Sequence, residues 1–194
     1  MMPAAADGDE TSTRFRYMGL ALLCVAVPVL RDLLIRQRLS SGAVIAAVAN
    51  AGVLVVCLST MRAAGLSALE VGIRSITRRS LLLGLVAGTL LVAPVWRLPL
   101  LTAPGASWLF VAVVVEEVAF RGVLFAILRR VGGLPLATLG STAAFTMAHV
   151  GSAPWPALAL VGLAGLLLGL LRAMRGDLWA PGIAHFLLDL VSRA

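Results

Sequence analysis

Lysine is missing from this chain: all sixteen of its basic residues are arginine. Most of them lie between apolar segments, so the net charge of +7 reads as membrane-topology information, and a nucleic-acid partner is not expected. Cysteine is nearly as scarce. Cys24 and Cys57 sit in separate apolar stretches with no partner at metal-ligand spacing, which argues against a disulfide framework or a zinc–thiolate site. No internal repeat is visible, and charged residues make up only 13% of the sequence. Apolar side chains are abundant instead. Hydrophobic residues account for 60% of the chain and the mean hydropathy is +1.01, more apolar surface than a soluble domain of 194 residues can bury. The expected fold is all-α, a polytopic bundle of about seven transmembrane helices in a lipid bilayer.

Residues 1–13 are polar, with Asp7, Asp9 and Glu10, and are expected to form a disordered tail ahead of a single membrane domain over 14–194. Arg14 and Arg16 followed by the apolar Tyr17 to Leu30 imitate a signal peptide. Arg31 and Asp32 follow with no small-residue cleavage site, so a retained helix is expected. It should continue through Leu33 to Ile35, with Arg31 snorkelling to the interface and Pro28 kinking it. Further spans are expected over Gly42 to Met61, Ser80 to Trp96, Ala106 to Arg130, Leu134 to Val150, Pro156 to Met174 and Leu178 to Val191. Arg62 to Arg79 reads as an amphipathic interfacial segment. Pro94, Pro99, Pro104 and Gly105 mark a loop, and Gly132, Gly133 and Pro135 a turn. Gly162, Gly165 and Gly169 permit close helix contact in the sixth span. Asp32 and Asp177, beside arginines at span ends, read as solvated interfacial residues. Alternate connections hold ten arginines on one side and five on the other, Arg31 among the five. The N-terminus is therefore expected in the cytoplasm and the C-terminus outside the cell membrane.

One stretch breaks the apolar pattern. Val111 to Phe125 places Glu116, Glu117 and Arg121 in the middle of the fourth span. Each such charge at a helix centre costs roughly 2.5–3.5 kcal/mol on insertion, against about 0.3–0.6 returned by each Leu, Val or Phe. Glu117 and Arg121 are four residues apart, share a face and can pair. Glu116 lies about 100° away with no such partner in its helix. A buried acid of this kind marks a functional site by default.

The only histidines, His149 and His185, lie in late apolar helices. Each alone could be a helix–helix hydrogen bond. Together with a spare glutamate on a third helix, two imidazoles supply what is needed to bind a divalent metal such as zinc or to activate a water. Asp189 shares a face with His185 and could orient the imidazole or act directly in the site. Phe145 shares a face with His149 and could wall the site against water.

These residues, Glu116-Glu117-x-x-x-Arg121, Phe145-x-x-x-His149 and His185-x-x-x-Asp189, in that order on separate spans, resemble the CPBP family of intramembrane proteases. That family takes in type II CAAX prenyl endopeptidases and the bacterial Abi group linked to bacteriocin processing and self-immunity. The resemblance covers about 70–191 and includes Val71-Gly72-Ile73-Arg74. It implies that Glu116 is the essential acid, activating water together with His149. It also implies that His185 and the residue at 189 stabilise the oxyanion. Both a metalloprotease and a metal-free glutamate chemistry have been argued for the family; the first would use Glu116, His149 and His185 as ligands. The third motif usually ends in Asn. Asp189 is an anion unless its apolar setting protonates it, so it either donates to the oxyanion as an acid or holds His185.

The expected function is thus an intramembrane endopeptidase that hydrolyses a peptide bond in a hydrophobic or lipidated peptide. Two other classes fit the same residues: a transporter relaying protons or metal through Glu116, His149 and His185, and a protease-like scaffold or immunity protein without turnover. Depth sets a structural condition. With straight helices Glu116 is about 15 Å from the outer end of its span, His149 is near that end, and His185 is about 10 Å from the inner end. For these to converge, the Arg175 to Gly182 connection must dip into the membrane or the fifth helix must run further than its expected limit.

Overall fold

The computed structural model of the chain describes residues 7–36, 42–93, 103–150 and 153–192. Among these, every regular element is helical, and the only β feature is one isolated bridge between Val150 and Ala153. α1 is Asp7–Arg36 and runs through Pro28; it begins inside the stretch read as a tail. α2 is Gly42–Ala63, α3 the single turn Ala68–Val71, α4 Arg78–Val92 and α5 Ala103–Glu116. A π-helical segment, Glu117–Leu124, then carries the charged motif, and α6 is Phe125–Ala148. α7 is Trp155–Arg175 and α8 is Trp179–Ser192. The expected end of the third span at Trp96 and the Pro94 and Pro99 part of the following loop lie outside the described residues.

Among the described residues three helices are long and apolar enough to cross a membrane: Ser12–Arg31 within α1, Val44–Ala63 within α2, and α7. α8 is apolar but shorter. The fourth expected span is divided among α5, the π segment and the start of α6, and its charges sit where the helix changes from i→i−4 to i→i−5 bonding. Backbone geometry also separates the fourth and fifth expected spans. Gly133 at φ 73° adopts a conformation disfavoured for residues with a Cβ, and it breaks α6 just before Pro135. Arg62 to Arg79 is not one amphipathic helix. It is the turn α3, fixed by a capping box between Ser67 and Glu70, followed by irregular chain with Ile73 and Ile76 exposed.

Two apolar clusters result. One joins α1, α2, the π segment and α6 around Val53, Val115, Phe120 and Phe145; the other joins α4, α7 and α8 around Ala87, Leu168, Ala180 and Ala184. Small residues bring the helices together. A Cβ on Gly84 of α4 would lie 2.9 Å from the Ala180 carbonyl of α8, and one on Gly165 of α7 would lie 3.1 Å from the Phe145 ring of α6. The start of α8 is held in the same way from below. Asp177, 3% exposed, accepts from the Trp179 and Ala180 N–H groups and from the Ser80 hydroxyl. It is a buried N-cap and not the solvated residue expected, because its position just before an apolar helix outweighs the neighbouring Arg175.

Candidate active site

The π segment and α8 present their polar residues to one another. Glu117 Oε1 accepts from Arg121 Nη1 at 3.1 Å and from His185 Nδ1 at 2.8 Å. A carboxylate oxygen can only accept, so the proton of this contact is on Nδ1, and Nε2 faces the rest of the site. Nε2 is 3.8 Å from Glu116 Oε2 and 3.8 Å from Asp189 Oδ1. Both separations are too long for direct hydrogen bonds and match polar groups that share a water or a substrate oxygen. Glu116, Glu117, Arg121 and His185 are all at most 2% exposed, and Asp189 is 7% exposed.

Phe145 is the apolar centre of the cluster. Its ring meets His185 edge-on at 5.4 Å and Phe120 edge-on at 5.6 Å, and the Arg121 guanidinium lies 4.0 Å over it. His149, the C-cap of α6, packs on Phe145 at 4.5 Å, with its Nδ1 2.8 Å from the Phe145 carbonyl oxygen. His149 packs on the group through Phe145, and Glu117, Arg121 and His185 are joined by hydrogen bonds.

The fifth expected helix does not run past its limit: α6 ends at Ala148 with His149 as its C-cap. The chain between α7 and α8 is only Gly176 to Leu178, and the Leu178 N–H donates to the Gly72 carbonyl at 3.1 Å. His185 is then carried directly to the π segment.

Arg31 had been expected to snorkel. It is buried, donating from Nη2 to Glu116 Oε1 at 2.6 Å and from Nη1 to Asn50 Oδ1 at 3.3 Å. The acid without a partner in its own helix thus has one on α1. The available signal was charge: an apolar helix carrying Glu116 needs a cation from elsewhere, and Arg31 is the arginine of the first apolar run. The site thus sets three carboxyl groups against two guanidiniums and one imidazole. Behind the site Arg172, also buried, donates from Nε to the Arg121 carbonyl at 2.8 Å and from Nη2 to the Glu70 carbonyl at 2.6 Å, tying the π segment to α3.

Among the described residues no three His, Cys, Asp or Glu side chains are grouped so as to hold an ion. In this arrangement the described residues do not form a ready metal centre.

Apolar helices that enclose two glutamates, two histidines and their arginine partners define a helical membrane protein with a buried acid–imidazole site. Residues 79–191 match the family model described as Type II CAAX prenyl endopeptidase Rce1-like. The chain belongs to this family of CAAX endopeptidases, membrane hydrolases that cleave peptide bonds. No curated protein and no solved structure matches the chain.

Proposed function

We propose that this protein is a multi-pass intramembrane endopeptidase of the cell membrane, with seven helical spans and its N-terminus in the cytoplasm, that cleaves hydrophobic or lipidated peptides. The observation that carries the reading is the convergence of Glu116 Oε2, His185 Nε2 and Asp189 Oδ1, with 3.8 Å on either side of the imidazole nitrogen. In the proposed reaction Glu116 takes a proton from a water, whose oxygen bonds to the scissile carbonyl carbon. Arg31 holds the other oxygen of Glu116 and fixes the carboxylate within the apolar bundle. The carbonyl oxygen becomes an oxyanion beside His185, which as imidazolium donates from Nε2. The C–N bond then breaks, and Glu116 returns its proton to the leaving amine. Glu117 accepts from Nδ1 and sets the direction of the ring; Arg121 holds Glu117 in turn. His149 assists Glu116 in placing the water, and Phe145 excludes bulk solvent. Asp189 sits where a carboxylate favours the imidazolium.

The test is cleavage of a panel of peptides, prenylated at a C-terminal cysteine motif or simply hydrophobic, by purified protein in water enriched in oxygen-18. One heavy oxygen in the new carboxyl group, lost in Glu116→Ala and His149→Ala with folding intact, supports the reading. Full activity in Glu116→Ala removes it. Ion flux in proteoliposomes without cleavage would favour a carrier instead.

A further inference from the structure

We propose that an arginine-lined hollow at the ends of α3, α7 and the first part of α6 binds the phosphate of an anionic phospholipid headgroup. This site is separate from the proposed peptidase chemistry and does not depend on it. The hollow is open on one side and has a volume of about 440 Å³. Arg74, Arg129, Arg130 and Arg172 line it, with Glu70 as the single acid, so four positive charges against one leave three in excess.

The arginines fall into two groups. Arg130 is committed to the protein: it pairs with Glu70 at 2.6 Å and donates to the Ala64 and Gly65 carbonyls. Arg172 is buried and uses Nε and Nη2 on the Arg121 and Glu70 carbonyls, while Nη1 lies at the Gly176 wall of the hollow. Arg74 and Arg129 are exposed and have no carboxylate partner among the described residues. A Cβ on Gly176 would be 3.8 Å from Arg74 Cζ and 4.0 Å from Arg172 Nη1, so these two guanidiniums approach the same point. Guanidiniums gathered this closely repel each other unless an anion with several acceptor oxygens lies between them, and a phosphate offers that geometry.

The surroundings identify the source of the phosphate. Leu69 lines the hollow and is 60% exposed, and Ile73 and Ile76 on the adjoining chain are half exposed. Trp179, whose indole N–H donates to the Arg74 carbonyl at 2.6 Å, stands beside them. Apolar side chains and an interfacial tryptophan next to a basic hollow at helix ends suit a headgroup whose acyl chains run along the bundle. A soluble phosphate compound would gain nothing from that rim.

The experiment uses the full chain, purified and delipidated in detergent, offered equal amounts of phosphatidylglycerol and phosphatidylcholine, with retained lipid read by native mass spectrometry. Wild type should retain phosphatidylglycerol in preference. R74Q/R129Q should retain it about tenfold less or weaker still, and R129Q alone should lose part of it. R78Q/R79Q, which removes two exposed arginines that do not line the hollow, should retain it as wild type does. Equal retention by wild type, R74Q/R129Q and R78Q/R79Q would overturn the proposal, as would indifference of wild type to the headgroup. Displacement of the lipid by glycerol 3-phosphate at matching concentration would assign the hollow to soluble phosphates and overturn the lipid assignment.

Discussion

Arg31 shows how a single residue changes the meaning of another. Read from spacing, Glu116 had no partner, and Arg31 was a topology signal near the end of the first helix. Their contact at 2.6 Å makes them a buried ion pair joining α1 to the π segment. Removing one member leaves the other charge uncompensated in an apolar setting. Arg31→Met should therefore destabilise the protein by about 3–5 kcal/mol, and Arg31→Met combined with Glu116→Gln by clearly less. Thermal unfolding in detergent of the two variants checks this, and equal losses would mean that the pair is not coupled. Most of the cluster was legible in the sequence at this scale: Glu116, Glu117, Arg121, Phe145, His149, His185 and Asp189 were all marked by being polar or aromatic at helical spacing in apolar runs. Arg31 and Asn50 were not, because spacing reports neighbours on one helix and is silent about partners 85 residues apart. Nor did spacing distinguish the glutamates by partner, as it is Glu117 whose carboxylate contacts His185 Nδ1.

At the scale of elements, each of the seven expected segments has a helical counterpart, but the boundaries differ: α1 begins at Asp7 inside the expected tail, and α5 begins at Ala103, so that Pro104 and Gly105, expected in a loop, lie in its first turn. The internal form of those helices was not readable. A π segment differs from an α-helix by one backbone register, which leaves no trace in composition. The α4–α8 contact positions His185 and Asp189. A Cβ on Gly84 would lie 2.9 Å from a backbone oxygen of α8, and no rotamer can relieve that. Gly84→Val should cost about 1–3 kcal/mol and lower peptidase activity further than stability alone explains, while Gly19→Ala, with nothing within 4 Å, should do neither. Unfolding and cleavage assays on both variants decide it. The turn α3 is a latch of a different kind. The Ser67 N–H and the Arg130 guanidinium hold the Glu70 carboxyl below its ordinary pKa. Because the folded value is depressed, this stabilisation is present above the unfolded pKa and is lost as pH falls through the folded one. Wild type should be more stable than Glu70→Gln at neutral pH, and the difference should shrink below about pH 4. A difference that does not vary between neutral and acid pH would show that the latch contributes nothing.

For the whole molecule, the sequence supports two levels of statement. Membrane residence follows from apolar content too large for a soluble core, and family membership from the match over 79–191. The number of spans is less direct, since three helices are by themselves long and apolar enough to cross. The remaining segments are short or carry the site, so that their apolar length is interrupted where the chemistry lies. Arg31 and Arg172 are both buried, which takes one arginine from each side and leaves nine against four, the bias on which the proposed cytoplasmic N-terminus rests. Reporter fusions at the two ends should respond on opposite sides of the membrane; the same side for both would rule out an odd number of spans.

All of these levels bear on the water that Glu116 is proposed to activate. The most direct measurement is the rate at which Glu116→Gln cleaves a peptide that wild type cleaves, with the folding of both verified by thermal unfolding. Loss of a general base should reduce that rate by about 10²–10⁴-fold. A folded Glu116→Gln that cleaves at the wild-type rate would contradict the account.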